Sequence, residues 1–149
     1  MHAGSIDVAR LAASAAGVDD RVSFAVADAA DDLGSDYDLV CFFDSFHHAG
    51  DPVAAARHAR AALRRDGVLM LVEPRAGDRV EDNRNVVGLT YSAASTLVCV
   101  PDALSQGATE ALGGQAGPAR LEEVLLRAGF TRVRVAAEAP FNLVVEARP

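Results

Sequence analysis

The stretch that decides the fold is Tyr37-Asp38-Leu39-Val40-Cys41-Phe42-Phe43-Asp44-Ser45-Phe46-His47-His48. Its central run, residues 38–43, is apolar without alternation, which is typical of a strand covered on both faces, as in a parallel sheet. Polar and ionisable side chains follow this run at once. Because open α/β sheets bind ligands beyond the carboxyl ends of their strands, residues 43–48 are predicted to lie at a ligand site.

Helices and strands alternate on both sides of this stretch. Apolar spacing, caps, prolines and glycines mark where each element begins and ends. The predicted elements, in chain order, are a helix capped by Ser5 and ended by Gly17, strands at 22–26 and 38–43, a helix that begins at Asp51-Pro52 and ends near Arg64, Arg65 and Gly67, a strand at 68–72, a helix over 86–97, a helix from Pro118 to Gly129, and strands at 130–137 and 141–147. The last connection is short enough to join only antiparallel neighbours. The pattern predicts an α/β fold whose doubly wound sheet finishes in an antiparallel hairpin.

The composition is that of a folded domain with an acidic surface. The chain has 149 residues, of which 50% are hydrophobic and 23% charged, enough for one globular domain. Its net charge of −7 argues against binding to nucleic acid or to anionic membranes, since both need a basic footprint. All 14 basic residues are arginine, which excludes Schiff-base lysines, the P-loop lysine and Ser-Lys dyads. The bias towards Arg and Ala suggests a GC-rich bacterial genome.

The two cysteines and the chain termini point to a reduced, cytoplasmic protein. Cys41 and Cys99 fit no metal or redox spacing and are expected to be core residues, so no metal site is predicted. The first five residues lack the basic and apolar regions of a signal peptide. The long uncharged run, residues 85–101, is interrupted by polar residues and is not predicted to span a membrane.

The ordered set of segments resembles the class I S-adenosylmethionine-dependent methyltransferases. Residues 21–29 resemble the third strand of that family, and residues 37–48 its fourth strand, followed by the family's His-His and Asp-Pro. Residues 66–74 are similar to the fifth strand with its preceding turn, and the terminal hairpin is also typical. Residues 73–105 and 140–149 are similar to a bacterial subgroup in which a winged-helix domain usually precedes the methyltransferase domain. The resemblance covers nearly the whole chain, and its order is more specific than any one motif.

The resemblance implies S-adenosylmethionine as cofactor and names residues for its site. Asp28, which follows the third strand, would accept a hydrogen bond from the adenine amino group, and the backbone of Ala29 would contact the ring. Phe43 and Asp44, at the end of the fourth strand, would lie on the cofactor side of the same edge. The small-molecule methyl acceptor would lie beyond them.

The resemblance also implies where the acceptor would be handled. His47 or His48 would remove the acceptor's proton while the protein holds both reactants in line; alternatively, the two histidines only shape the turn into the next helix. Tyr91, in a helical insert at about 75–117, would contact the substrate in a mostly apolar pocket. The insert would otherwise be a helix packed on the sheet or on a partner subunit.

One part of the family pattern is missing from the sequence. The Gly-x-Gly-x-Gly turn after the family's first strand is absent, as is the acidic residue that ends its second strand and holds the ribose. Gly113-Gly114-Gln115-Ala116-Gly117 does not follow an apolar strand and is no substitute. We therefore expect one partial domain over 1–149 that begins about one βαβ unit, roughly 30 residues, late. Cofactor binding by this chain alone is expected to be weak or absent.

The missing strands also leave an edge of the sheet open. The family's strand order is 3-2-1-4-5-7-6, so without strands 1 and 2 the strand at 38–43 loses its neighbour. An exposed apolar strand edge tends to form hydrogen bonds with another strand. We expect that strand to be 22–26 of the same chain, or to come from a second copy in a homodimer or from a preceding segment; otherwise the chain would aggregate.

Two functions follow, and the sequence leaves open whether the chain is an active enzyme. The first is methyl transfer to a small molecule by a methyltransferase whose cofactor site is incomplete in this chain. The alternative is a non-catalytic, degenerate methyltransferase fold that acts as a partner or dimerisation module. A phosphoacceptor receiver domain is disfavoured because it needs a lysine, and a Ser-His-Asp hydrolase because no Gly-x-Ser-x-Gly elbow is present.

Overall fold

The chain divides into two separately packed units, Met1–Asp31 and Asp32–Pro149. The structure is a computed structural model that describes residues 3–27, 34–108 and 110–149. Asp28 and Ala29, the predicted adenine contacts, lie outside the described residues.

The described residues of the first unit form one helix, α1 (Ala3–Ala15), and an irregular segment after it. Gly17 ends the helix in a left-handed conformation with a φ of 64°. The predicted cap at Ser5 is wrong, because the helix already begins at Ala3. The predicted strand at 22–26 is also wrong: residues 22–27 form no strand. A strand exists only as part of a hydrogen-bonded ladder, and no described segment pairs with these residues.

The second unit is built on an open four-stranded sheet. Its strands are β1 (Tyr37–Phe43), β2 (Leu63–Pro74), β3 (Arg132–Glu138) and β4 (Asn142–Arg148), in the spatial order β1-β2-β4-β3. β1 and β2 are parallel, whereas β4 runs antiparallel to both β2 and β3. This is the 4-5-7-6 portion of the predicted order, so the α/β class and the terminal hairpin are confirmed. β1 has no second partner among the described strands.

β2 begins earlier than predicted, because it contains a bulge. The pairing changes from Tyr37–Leu63 to Leu39–Val68, so β2 advances by more residues than β1 over the same length. The bulge needs glycine at position 67, because the Cβ of any other residue would clash with the Tyr37 carbonyl oxygen at 2.8 Å. The arginines at 64 and 65 therefore lie in the strand and do not form the last turn of the preceding helix, as had been predicted.

Besides two short 3₁₀ turns, the described part of the second unit contains three helical segments. α2 (Pro52–Ala62) begins as predicted, with the Asp51 side chain accepting a hydrogen bond from the Ala54 N–H at 2.8 Å. The second segment is longer than the predicted 86–97: α3 (Val86–Ala94), a π-turn (Ser95–Cys99) and α4 (Val100–Ser105) follow one another without a break. α5 (Pro118–Arg127) packs against α2.

The core lies between β2, β4 and the helices. Small buried alanines on α2 let that helix approach the sheet closely, and α5 contributes larger apolar side chains. The fully buried apolar residues with the largest side chains are Phe46, Leu69, Leu71, Leu121, Leu125, Leu143, Val124 and Val145.

The segment Val86–Ser105 is mostly outside this core. By length and composition alone this segment is long and apolar enough to cross a membrane. Of its apolar 18-residue stretch, 22% is buried. Length and composition do not distinguish a membrane span from an apolar helix of a water-soluble protein. Its large exposed apolar side chains are Val86, Leu89, Leu97, Val98 and Leu104.

Candidate active site

Glu73 lies at the carboxyl end of β2 and holds the turn that follows β1. Its side chain is 2% exposed. One carboxylate oxygen accepts a hydrogen bond from the Phe46 N–H at 3.0 Å, and the other lies 2.5 Å from Nδ1 of His47. One buried carboxylate thus binds two consecutive residues, which compensates for removing it from water.

Aromatic packing fixes the same turn from the other side. Phe46 is fully buried, and its ring meets that of Phe42 edge to face, with centroids 5.3 Å apart and an interplanar angle of 70°. The turn, a 3₁₀ segment over Phe46–His48, is therefore anchored both by an apolar ring and by a carboxylate. This anchoring sets the position of His47, whose side chain is 5% exposed.

His48 is the more accessible of the two histidines. Its Nδ1 lies 2.9 Å from a carboxylate oxygen of Asp102 on α4, and its side chain is 30% exposed. The Gln106 amide donates to the His48 carbonyl oxygen at 3.0 Å, which joins the turn to the residue after α4. The rings of His47 and His48 are neighbours, with centroids 4.4 Å apart.

Asp44 is held at the same edge of the sheet by a residue far along the chain. It has a φ of 45°, a left-handed conformation that is unusual for a residue other than glycine. Its N–H donates to the Val72 carbonyl oxygen at 2.8 Å. The amide of Asn142, the first residue of β4, donates to both Asp44 carboxylate oxygens at 3.0 and 3.2 Å. These contacts join the ends of three strands.

Tyr91 lies within the electrostatic influence of Asp44. Burial and the negative charge of Asp44 both raise the pKa of the Tyr91 phenol, so the hydroxyl remains a hydrogen-bond donor at neutral pH. Tyr91 lies on α3, inside the predicted insert.

Cys99, at the end of the π-turn, lies beside the two histidines. One ring nitrogen from each of His47 and His48 and the Cys99 sulfur all lie within 4.8 Å of one another. Burial raises the pKa of the Cys99 thiol, and the charges of Glu73 and Asp102 act in the same direction. Imidazole nitrogen and sulfur are donors that suit Zn²⁺.

The predicted site residues are thus brought together in part. His47, His48 and Asp44 lie at the carboxyl edge of the sheet, Tyr91 lies near Asp44, and Phe43 ends β1 with a side chain 64% exposed.

Four neighbours of these residues did not emerge from the sequence: Glu73, Asp102, Asn142 and Cys99. Of these four, only Glu73 could have been recognised from the sequence. It is a charged residue at the end of an apolar strand, and such a residue needs a polar partner if it is buried.

The arrangement suits removal of a proton. An ionised carboxylate at Nδ1 stabilises the imidazole tautomer that carries its proton on Nδ1, which leaves the Nε2 lone pair of that ring available as a base. Both histidines have a carboxylate in this position, and the buried one, Glu73, is the more tightly held.

A family model described as a methyltransferase domain matches residues 5–106, more than half of the chain. The chain belongs to this family, whose cofactor is S-adenosylmethionine, and its sheet has the class I methyltransferase topology.

Several solved structures, two of them described as O-methyltransferases, resemble the chain. A candidate O-methyltransferase of Nostoc punctiforme is 25% identical, with a TM-score of 0.74 over 97% of this chain and 42% of its own. NcsB1, an O-methyltransferase from neocarzinostatin biosynthesis solved with S-adenosyl-L-homocysteine and 1,4-dihydroxy-2-naphthoic acid, is 22% identical, with a TM-score of 0.73 over 98% and 39%. TnmH is 18% identical, with a TM-score of 0.75 over 99% and 41%. The chain spans about two fifths of the length of these proteins. A search of curated protein sequences found no match.

Proposed function

We propose that the protein containing this chain transfers a methyl group from S-adenosylmethionine to a hydroxyl group of a small molecule, and that His47 accepts the hydroxyl proton. The observation that carries the proposal is the buried pair of Glu73 and His47, 2.5 Å apart at the carboxyl edge of the sheet. A carboxylate that is 2% exposed has a role beyond general solubility, because its burial must be offset by specific partners.

The residues present fit part of a site for the cofactor. Phe43 and Asp44 offer an exposed ring and a fixed carboxylate at the end of β1, which suit the side of the cofactor nearest that strand. The glycine-rich turn is absent from the sequence, and Asp28 and Ala29 remain predictions only. When bound, the cofactor supplies an electrophilic methyl group on a positively charged sulfur.

The chain's own residues would prepare the acceptor. Glu73 orients the His47 ring and stabilises its protonated form, as the carboxylate does in a catalytic triad. A hydroxyl oxygen becomes a much better nucleophile as its proton leaves, whereas an uncharged amine already carries a free lone pair. His48, which contacts Asp102 and is more exposed than His47, serves as the second candidate base.

Tyr91 supports an acceptor site on the side of α3. Its phenol is kept protonated near Asp44 and can donate a hydrogen bond to an acceptor oxygen. Exposed apolar residues on the same segment, Leu89 and Leu97 among them, suit an acceptor with an apolar body. The similarity to proteins described as O-methyltransferases supports a hydroxyl as the methylated group.

The test is methyl transfer by the full-length gene product with radiolabelled S-adenosylmethionine and a panel of phenols, aliphatic alcohols and amines. We expect label on hydroxyl compounds only. His47→Gln should lower kcat by about 100-fold or more with little change in KM for the cofactor. His58→Gln is the matched control, since His58 lies on α2 with its Nδ1 2.8 Å from the Ala54 carbonyl oxygen. Equal rates for the two variants, or label on amines only, would overturn the proposal.

A second candidate is a non-catalytic partner or dimerisation module. The exposed apolar side chains along Val86–Ser105 support it, since such a surface suits a contact with another chain. A full-length protein that forms a well-folded dimer, and whose Tm is unchanged by S-adenosylmethionine, would favour this function over methyl transfer.

We also propose a bacterial, cytoplasmic setting with no nucleic-acid or membrane partner. The net charge of −7 supports both exclusions. Co-sedimentation of the chain with anionic phospholipid vesicles, or retention on duplex DNA at physiological salt, would contradict them.

A further inference from the structure

We propose that His47, His48 and Cys99 form a binding site for Zn²⁺. Their donor atoms come from two separate elements, the turn after β1 and the end of the π-turn, and lie within 4.8 Å of one another. Around a tetrahedral Zn²⁺ with bonds of about 2.0–2.3 Å, neighbouring ligand atoms are about 3.3–3.8 Å apart. The three side chains would therefore have to draw closer together as the ion binds.

The carboxylates around the histidines give the strongest support. In protein zinc sites a ligating imidazole almost always donates its other ring N–H to a carboxylate, a carbonyl or water. Here both rings have such a partner on Nδ1: Glu73 at 2.5 Å from His47 and Asp102 at 2.9 Å from His48. Nε2 of each ring is thus the nitrogen left for a metal.

The charges of the cluster suit a divalent cation. On binding, Zn²⁺ would displace the Cys99 thiol proton to solvent, and the resulting thiolate, beside the carboxyl groups of Glu73 and Asp102, would offset the charge of the ion. Thiolate and imidazole are the donor types that Zn²⁺ prefers over the all-oxygen sites of Mg²⁺ and Ca²⁺.

The local fold holds Cys99 in place. The wide turn over Ser95–Cys99 interrupts an otherwise regular helix, and π-turns of this kind occur frequently at functional sites. The Gly114 N–H donates to the Ser95 hydroxyl oxygen at 3.1 Å. Gly113 has a φ of 65°, and a Cβ there would crowd the Ser95 hydroxyl and the Val100 side chain, so glycine suits this position against the turn.

Zinc at this site would also affect the proposed methyl transfer. Three protein ligands leave one tetrahedral position open. The ion would occupy the ring nitrogens that the proposed function assigns to accepting a proton, so bound zinc should suppress transfer. The binding itself does not depend on that function and is measured on the 149-residue chain.

The experiment uses metal-free chain without a histidine tag, titrated with Co²⁺ as a spectroscopic probe and then with Zn²⁺. We expect one equivalent of Co²⁺ to produce a near-ultraviolet thiolate band and the visible bands of tetrahedral cobalt, and Zn²⁺ to displace it. Cys99→Ser should lose the thiolate band, and Cys41→Ser, the matched control, should keep it. Asp102→Asn should weaken binding by about 10–100-fold, and His58→Gln should not.

Circular dichroism checks that each variant is folded, and Asp102→Asn tests the site without changing a ligand. The proposal is overturned if the unsubstituted chain shows no thiolate band, if Cys99→Ser retains the band, or if Asp102→Asn binds as tightly as the unsubstituted chain.

Discussion

Glu73 is the residue on which the candidate site depends most. Its two carboxylate oxygens are divided between the backbone of Phe46 and the ring of His47, so the turn and the base are fixed by one side chain. The sequence predicted the position of His47 and His48, because ionisable residues directly after an apolar strand lie at the ligand edge of the sheet. It did not predict their partners, which are 26 and 54 residues away in the chain.

Glu73→Ala should lower the free energy of unfolding by about 3–5 kcal/mol, because it leaves a buried N–H and a buried imidazole without their acceptor. Glu73→Gln retains the size and one carbonyl oxygen and should cost less. Glu138→Ala removes an exposed ion pair with Arg75 and should cost under about 1 kcal/mol. Urea denaturation of the three variants measures the differences. Equal losses for Glu73→Ala and Glu138→Ala would contradict the structural role of Glu73.

At the scale of elements, the sequence predicted best where a segment's neighbours are local. The cap at Asp51, the helix opened by Pro118 and the terminal hairpin are set by nearby residues, and all three are present. The prediction of a strand at 22–26 was wrong because apolar character alone does not supply a strand to pair with. The helix predicted over 86–97 continues to Ser105, since the π-turn accommodates Pro101, which lacks an N–H and crowds the preceding turn.

The exposed apolar face of Val86–Ser105 should cause the chain to associate with itself at micromolar concentration, because apolar patches of this kind are usually covered. Leu97→Glu, at a side chain 77% exposed, should shift sedimentation velocity profiles towards the monomer. Leu126→Glu, at an exposed leucine on α5, is the matched control and should not. A monomer at about 100 μM in the unsubstituted chain would contradict this expectation.

At the scale of the whole molecule, the strand order β1-β2-β4-β3 agrees with the expected portion of a class I methyltransferase sheet. That order was predictable because the segments occur in the family's sequence order, although no single motif is diagnostic. The position of the helical insert relative to the histidines was not predictable, since the Asp102–His48 contact depends on how α4 returns to the turn after β1. The same is true of Asn142, which reaches Asp44 across 98 residues.

The central proposal is that this chain carries the acceptor side of a methyltransferase site together with only part of a cofactor site at the carboxyl end of β1. It is tested most directly by a ¹H–¹⁵N chemical-shift titration of the chain with S-adenosylmethionine. We predict shifts at Phe43, Asp44 and Asn142 that do not saturate below about 1 mM, a binding free energy weaker than about −4 kcal/mol. Saturation at micromolar cofactor, or shifts confined to residues away from the carboxyl end of β1, would contradict the account.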